Sequence, residues 1–210
     1  SHNARLYDVI RIDHFRAFAD YYTIPYGAET AKCGKWEKGV GMPFWRIMDK
    51  AVTAEIIAED LGGDTPEVER LIAETGFPNM KVLQFAFDSD LSNPFLPKNY
   101  GRNCVCYTGT HDNDTTRGWF EKLSERDRLM FSRLVPADES GSAVLSLIAY
   151  AMRSKAETVI IPMQDYLQLD SCDRLNTPGV PSGNWEWRIA QNALNEEVLK
   201  TVRRLTALRK

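Results

Sequence analysis

Val9-Ile10-Arg11-Ile12-Asp13-His14-Phe15-Arg16 is the stretch on which the fold turns. Its first four residues form a β-branched apolar run interrupted once by arginine, the composition of a strand. The run then ends in an aspartate followed by an aromatic residue. In a parallel barrel, acids at the C-terminal ends of different strands converge on one cleft, so a carboxylate at that edge points to chemistry. Two later stretches repeat the device: Ala54-Glu55-Ile56-Ile57-Ala58-Glu59-Asp60-Leu61-Gly62, and Cys104-Val105-Cys106-Tyr107-Thr108-Gly109-Thr110-His111-Asp112-Asn113-Asp114.

Outward from these three runs, apolar segments alternate with amphipathic ones, the pattern of strand-helix units on a parallel sheet and hence of the α/β class. Strands are expected near 8–13, 54–59, 81–87, 103–108 and 158–163, and their continuous apolar character suits strands covered on both faces. After Glu59, Gly62-Gly63 turns the chain, Asp64 or Thr65 caps a helix, and Pro66 suits its first position. Val68, Leu71 and Ile72 give that helix its stripe; Gly76 and Pro78 stop it. A second helix is expected after Asp114-Thr115 with Trp119 and Phe120 on its apolar side, and others over 142–153 and 196–208. Residues 25–45 read as a long loop, because Pro25, Gly27, Gly34, Gly39, Gly41 and Pro43 interrupt any period while Tyr26, Trp36, Phe44 and Trp45 supply aromatic faces. Residues 170–187, with Trp185 and Trp187 among prolines and glycines, read as a second such loop, and loops of this kind bind ligands or close over them.

The chain has 210 residues, 43% hydrophobic and 26% charged, the makeup of a folded protein of about one-domain size. A net charge of -3 argues against broad binding to nucleic acid or an anionic membrane surface. No apolar run approaches the roughly 18 residues of a membrane span, and no secretory signal pattern opens the chain, so the cytoplasm is the expected compartment. Cys33, Cys104, Cys106 and Cys172 are unevenly spaced and read as buried free thiols rather than a zinc site, which brings a second tight pair of ligands. Ser1-His2-Asn3 reads as a cloning remnant, which puts the natural start elsewhere.

Cleaving a glycosidic bond with retention needs two carboxyl groups about 5–5.5 Å apart, one as nucleophile and one as proton donor. Asp13, Glu59 and Asp112 all stand at strand ends. Arg11, two residues before Asp13, points to the same side of its strand and would keep that carboxylate ionised, as a nucleophile requires. Glu59 would need apolar surroundings or a nearby negative charge in order to begin protonated. Against a calcium loop at Asp112-Asn113-Asp114 stands the absence of the sixth-position glycine and distal glutamate.

Arg-Ile-Asp-His-Phe-Arg at 11–16, Ile-Ala-Glu-Asp-Leu-Gly at 57–62, Gly-Thr-His-Asp-Asn-Asp-Thr at 109–115, Asn-Thr-Pro-Gly at 176–179 and Gly-Asn-Trp-Glu-Trp-Arg at 183–188 resemble, in order, the motifs of the 4-α-glucanotransferases (amylomaltases) of glycoside hydrolase family 77. The resemblance spans nearly the whole chain. It implies that Asp13 is the nucleophile, Glu59 the general acid/base, and Asp112 the acid that stabilises the transition state. It further implies that Arg11 supports the nucleophile and His111 contacts the sugar, with Asp60 and Asp114 in support. Trp36, Phe44, Trp45, Trp185 and Trp187 are candidate platforms for a malto-oligosaccharide or starch-derived glucan. No cofactor or metal is required. Ala17 departs from the glycine common after Phe-Arg in the family.

The resemblance also implies that residues 1–210 are one partial catalytic domain, the C-terminal portion of a (β/α)8 TIM-type barrel from about strand four to strand eight. The first three strands would then be missing, and the open edges of the partial sheet would pull toward a separate N-terminal half or toward self-association. Two rival readings stand beside the transferase: an α-amylase-type retaining hydrolase, and a catalytically silent carbohydrate-binding module.

Overall fold

The computed structural model describes residues 2–62 and 65–209, so the turn and cap expected at Gly63 and Asp64 lie outside the described residues. The chain divides into two compact units, residues 1–80 and 81–210.

The first unit runs β1 (Val9–Ile12), β2 (Asp20–Thr23), β3 (Lys35–Lys38), α1 (Gly41–Ala51), β4 (Glu55–Ala58), α2 (Pro66–Thr75) and the start of β5 (Asn79–Val82). β1 pairs in parallel with β4, Ile12 opposite Ala58, and β4 in parallel with β5. β1 and β4 form where β-branched residues cluster, Val9, Ile10 and Ile12 in one and Ile56 and Ile57 in the other. α2 opens on Pro66, whose missing N–H costs nothing at a helix start, and closes on Gly76 at φ 69°, a left-handed cap that glycine adopts freely. The core of the unit is aromatic: Phe15 and Trp45 are buried with Ala58 and Leu71, and Phe18, Phe44 and Phe77 pack on them.

The second unit begins within β5 and continues with β6 (Cys104–Tyr107), α3 (Thr116–Glu121), α4 (Glu125–Leu134), α5 (Ala143–Met152), β7 (Thr158–Ile160), α6 (Met163–Tyr166) and α7 (Glu196–Thr206). β6 is buried along its whole length and pairs in parallel with β7. α5 is capped by Ser142, whose hydroxyl accepts from Leu145 N, and is apolar on nearly every face, as a helix enclosed by its own core must be. One side of it meets Leu83, Phe87, Leu96 and Phe131; another meets Leu205 of α7. Arg204 of α7 is tied to the residues before α5, donating from Nη1 to Asp138 Oδ2 at 2.6 Å and pairing through Nε with Glu139 at 3.0 Å. The strand order is β1-β4-β5-β6-β7, as expected for five strand-helix units, with β2 and β3 forming a separate two-stranded ribbon.

Three expectations are corrected. Residues 25–45 are not one loop: β3 pairs antiparallel with β2, and α1 starts at Gly41. Glycines and prolines hid both elements. Gly39 stands where a Cβ would run into the Phe18 carbonyl, and Gly41 takes φ +55°, so these glycines serve close packing and a helix start rather than looseness. The strand placed at 81–87 begins at Asn79 and gives way to a 3-10 turn over Leu83–Phe85. Lastly, only Cys104 and Cys106 are buried; Cys33 and Cys172 are exposed. Burial raises the Cys106 thiol to about 11, leaving it protonated and inert at neutral pH.

Candidate active site

Asp13 follows β1 directly and lies exposed, 76% of its side chain reaching solvent. Arg11 Nη1 meets Asp13 Oδ1 at 2.8 Å, while Arg11 Nε points to Met80 Sδ at 3.3 Å, so the guanidinium is steered from two sides. The expectation that Arg11 and Asp13 share one side of the strand is met by this contact.

Glu59 follows β4 and is half-buried. Its Oε2 accepts from His14 N at 2.6 Å and its Oε1 from Leu61 N at 2.8 Å. The apolar or anionic surroundings sought for it are therefore replaced, in this arrangement, by two backbone donors. The main chains of the two loops are joined as well: Glu59 N donates to Ile12 O at 3.0 Å and Phe15 N to Glu59 O at 2.9 Å. The next residue, Asp60, faces the sheet and accepts from Asn79 Nδ2 at 2.8 Å and Met80 N at 3.0 Å, which fixes the end of β4 to the start of β5.

In the second unit, Asp112 lies beyond the end of β6. Its Oδ1 accepts from Asn176 Nδ2 at 2.5 Å and its Oδ2 stands 3.3 Å from His111 Nε2, while its carbonyl accepts from Arg174 Nη2 at 2.5 Å. The Trp185 ring packs on the His111 ring at 5.1 Å. Asn176 and Arg174 were not singled out from the sequence, although Asn176 opens the Asn-Thr-Pro-Gly segment that marked this loop.

Asp114 has a supporting position. It accepts from Lys122 Nζ at 2.5 Å, Ser171 Oγ at 2.8 Å and Thr115 N at 2.9 Å. Burial pushes its carboxyl up, but the hydrogen bonds from Lys122 and Ser171 outweigh it and hold the group below the ordinary carboxylate value. Gly118 lies against this cluster, where a Cβ would collide with Ser171 Oγ and crowd Asp114. Behind it, Asp165 is 1% exposed and accepts from Thr108 Oγ1 at 2.6 Å, Thr116 Oγ1 at 2.7 Å and Thr116 N at 2.8 Å. Burial, opposed by those bonds, leaves its carboxyl above the usual range. A hollow of about 170 Å³ is lined by His111, Asp114, Gln164, Asp165 and Arg174 together with Pro162 and Leu175.

Of the aromatic candidates, Trp36 and Trp185 are 53% and 56% exposed. Arg16 lies over one face of Trp36 at 4.1 Å. Trp45 is corrected: it is 6% exposed and its ring is enclosed by Phe15, Phe18, Phe44 and Phe77 at 4.7–5.4 Å, so it is core and offers no open face to a sugar. Phe44 belongs to the same cluster, stacked on Phe18 at 5.2 Å. Trp187 is half-buried and donates from Nε1 to Asp173 Oδ1 at 2.9 Å.

Strands that end in acids, one acid ion-paired to an arginine, are the pattern of α/β enzymes that work on glycosidic bonds through carboxylates. The glycoside hydrolase family 77 model, described as 4-alpha-glucanotransferase, matches residues 1–194, and the chain belongs to that family. It is 48% identical over 197 residues to a 4-alpha-glucanotransferase of Synechocystis, covering 92% of this chain and 39% of the relative. It is 45% identical over 202 residues to that of Thermus thermophilus, covering 91% and 40%. The amylomaltase of Streptococcus agalactiae, solved in complex with acarbose, superposes with a TM-score of 0.94 at 32% identity, covering 99% of this chain and 42% of that one. The chain thus spans about 40% of the length of these relatives, and the barrel-portion reading of its fold is borne out.

Proposed function

We propose that the protein carries out retaining transfer of α-1,4-glucan segments between malto-oligosaccharides. Asp13 attacks the anomeric carbon while Glu59 gives its proton to the leaving oxygen, and a glucosyl ester forms on Asp13. Glu59 then takes the proton of an acceptor's 4-hydroxyl, which displaces Asp13 and re-forms the bond with its configuration kept. Asp112 and His111 engage the sugar in the reacting position, and Trp36 and Trp185 offer it aromatic faces. The observation that carries this reading is the 2.8 Å Arg11–Asp13 pair, set one sheet neighbour from a clamped Glu59. Family membership and the activity for which the relatives are named support it further.

The reading treats residues 1–210 as part of one catalytic domain completed by an upstream segment. Support comes from the relatives' greater length and from an apolar groove of about 380 Å³ lined by Ile10, Ile12, Phe44, Trp45, Ile56 and Phe77 beside edge strand β1. Self-association through that edge is the alternative means of covering it. The cytoplasm is the proposed compartment, in keeping with four free cysteines and with no described helix long and apolar enough to cross a membrane.

Incubation with maltotriose tests the function. A transferase makes a ladder of longer and shorter glucans, and Asp13→Asn abolishes it. Sugar release without longer products would identify a hydrolase; maltodextrin binding that Asp13→Asn leaves unchanged, with no products, would identify a silent binding module.

A further inference from the structure

The backbone at His14 departs from what its residue type prefers. His14 has φ 47° and ψ 51°, the left-handed region that L side chains seldom enter. A strained residue of this kind is a reason to ask what its conformation holds. Here it turns the residue 14 N–H onto Glu59 Oε2 at 2.6 Å. The imidazole lies on the exposed side, within van der Waals reach of where a Gly62 Cβ would stand. A second tether closes the same structure, since Arg16 Nη1 donates to Gly62 O at 3.3 Å, across the turn that follows Glu59. The carboxyl is thus held on the Asp13 loop, and each oxygen keeps a further lone pair to carry or take a proton.

We propose that His14 is a positioning residue for Glu59, acting through its left-handed main chain rather than its ring. The proposal rests on the assignment of Glu59 as acid/base. It implies that position 14 accepts residues that tolerate this conformation, glycine and asparagine, and rejects β-branched ones.

The test has two arms. In this chain, the amide proton of residue 14 is followed by NMR. It is expected downfield, to move on Glu59→Gln together with that of Leu61, and to keep this response in His14→Gly. In His14→Val the residue 14 amide is expected to lose the response while Leu61 keeps it. In the full-length protein that carries the chain, two rates are compared: kcat on maltotriose, whose leaving oxygen needs a proton, and the burst of fluoride from α-maltotriosyl fluoride, whose leaving group does not. Because a general acid contributes roughly 10²–10⁴-fold, His14→Val is expected to lower the first by about 30-fold with little change in KM and the second by less than about threefold. His14→Gly is expected to keep the wild-type ratio of the two.

An amide at position 14 that ignores Glu59→Gln overturns the proposal. So does an equal loss of both rates in His14→Val, or a ratio disturbed as much by His14→Gly, which would assign the role to the ring. If Glu59→Gln itself leaves the ratio unchanged, the acid/base assignment falls and the proposal with it, whereas the NMR arm still reports whether the clamp exists.

Discussion

Glu59 and Asp112 are both strand-end acids, yet they are held by different means. Glu59 is gripped by main-chain N–H groups of His14 and Leu61, so its placement depends on backbone conformation. Asp112 is gripped by side chains, Asn176 and His111, the first of them 64 residues away in sequence. A backbone grip resists most substitutions and fails at the few that forbid a dihedral angle; a side-chain grip fails one residue at a time. The units that carry them differ as well: the first is packed around the rings of Phe15, Phe18 and Trp45, the second around α5, where Leu147 and Ile148 join Phe87 and Phe131, with a buried polar knot at Asp165.

The largest expected effects test those two cores. Trp45→Ala removes the centre of the aromatic cluster and is expected to cost about 3–5 kcal/mol, read by urea unfolding. A loss of glucan binding with stability unchanged would restore Trp45 as a sugar platform. Asp165→Ala leaves the Thr108 hydroxyl and the Thr116 N–H and hydroxyl without their acceptor, at an expected cost of about 2–4 kcal/mol; hydrogen exchange should then rise in α3 and leave β1 and β4 as they were.

An intermediate effect concerns pH. Burial works to raise the Asp138 carboxyl, but hydrogen bonds from Arg204 and Ser140 outweigh it and bring it to about 2. The unfolded value is about 3.9, so the folded state binds its proton less readily, and about 2 kcal/mol of stability is present above about pH 4 and lost as pH falls through 2. Arg204→Met should flatten that part of the pH-stability curve. A curve unchanged by the substitution would show that Arg204 does not set it.

Smaller effects test the side-chain grip. Asn176→Ala removes one donor from Asp112 and is expected to weaken binding of the proposed malto-oligosaccharide substrate by about 1 kcal/mol, measured calorimetrically, with stability nearly unchanged. Trp185→Ala, at an exposed position, should leave stability within about 0.5 kcal/mol while freeing the His111 ring. A large stability loss from either would mean that the 170–187 segment is structural.

How far the sequence disclosed this follows from what each feature depends on. Strand ends and their acids were legible because β-branched runs followed by Asp or Glu are local signals, and the Arg11–Asp13 pair follows from the two-residue period of a strand. The β2–β3 ribbon and α1 were not, since Gly39, Gly41 and Pro43 carry the same letters whether they loosen a loop or allow a tight crossing. α4 was missed because its first turn, Glu125-Arg126-Asp127-Arg128, is charged throughout; it owes its start to Ser124, whose hydroxyl accepts from Asp127 N. The surroundings of Glu59 depend on a dihedral angle at His14, and no residue type announces that.

The paired main-chain bonds Ile12 O to Glu59 N and Glu59 O to Phe15 N carry a consequence for how such a protein changes over generations. They tie the two loops bearing the proposed nucleophile and acid/base without recruiting any side chain. Substitution in the side chains of the β2–β3 ribbon or the 170–187 segment therefore leaves this main-chain tie in place, and the spacing of residues 13 and 59 is inherited with the backbone.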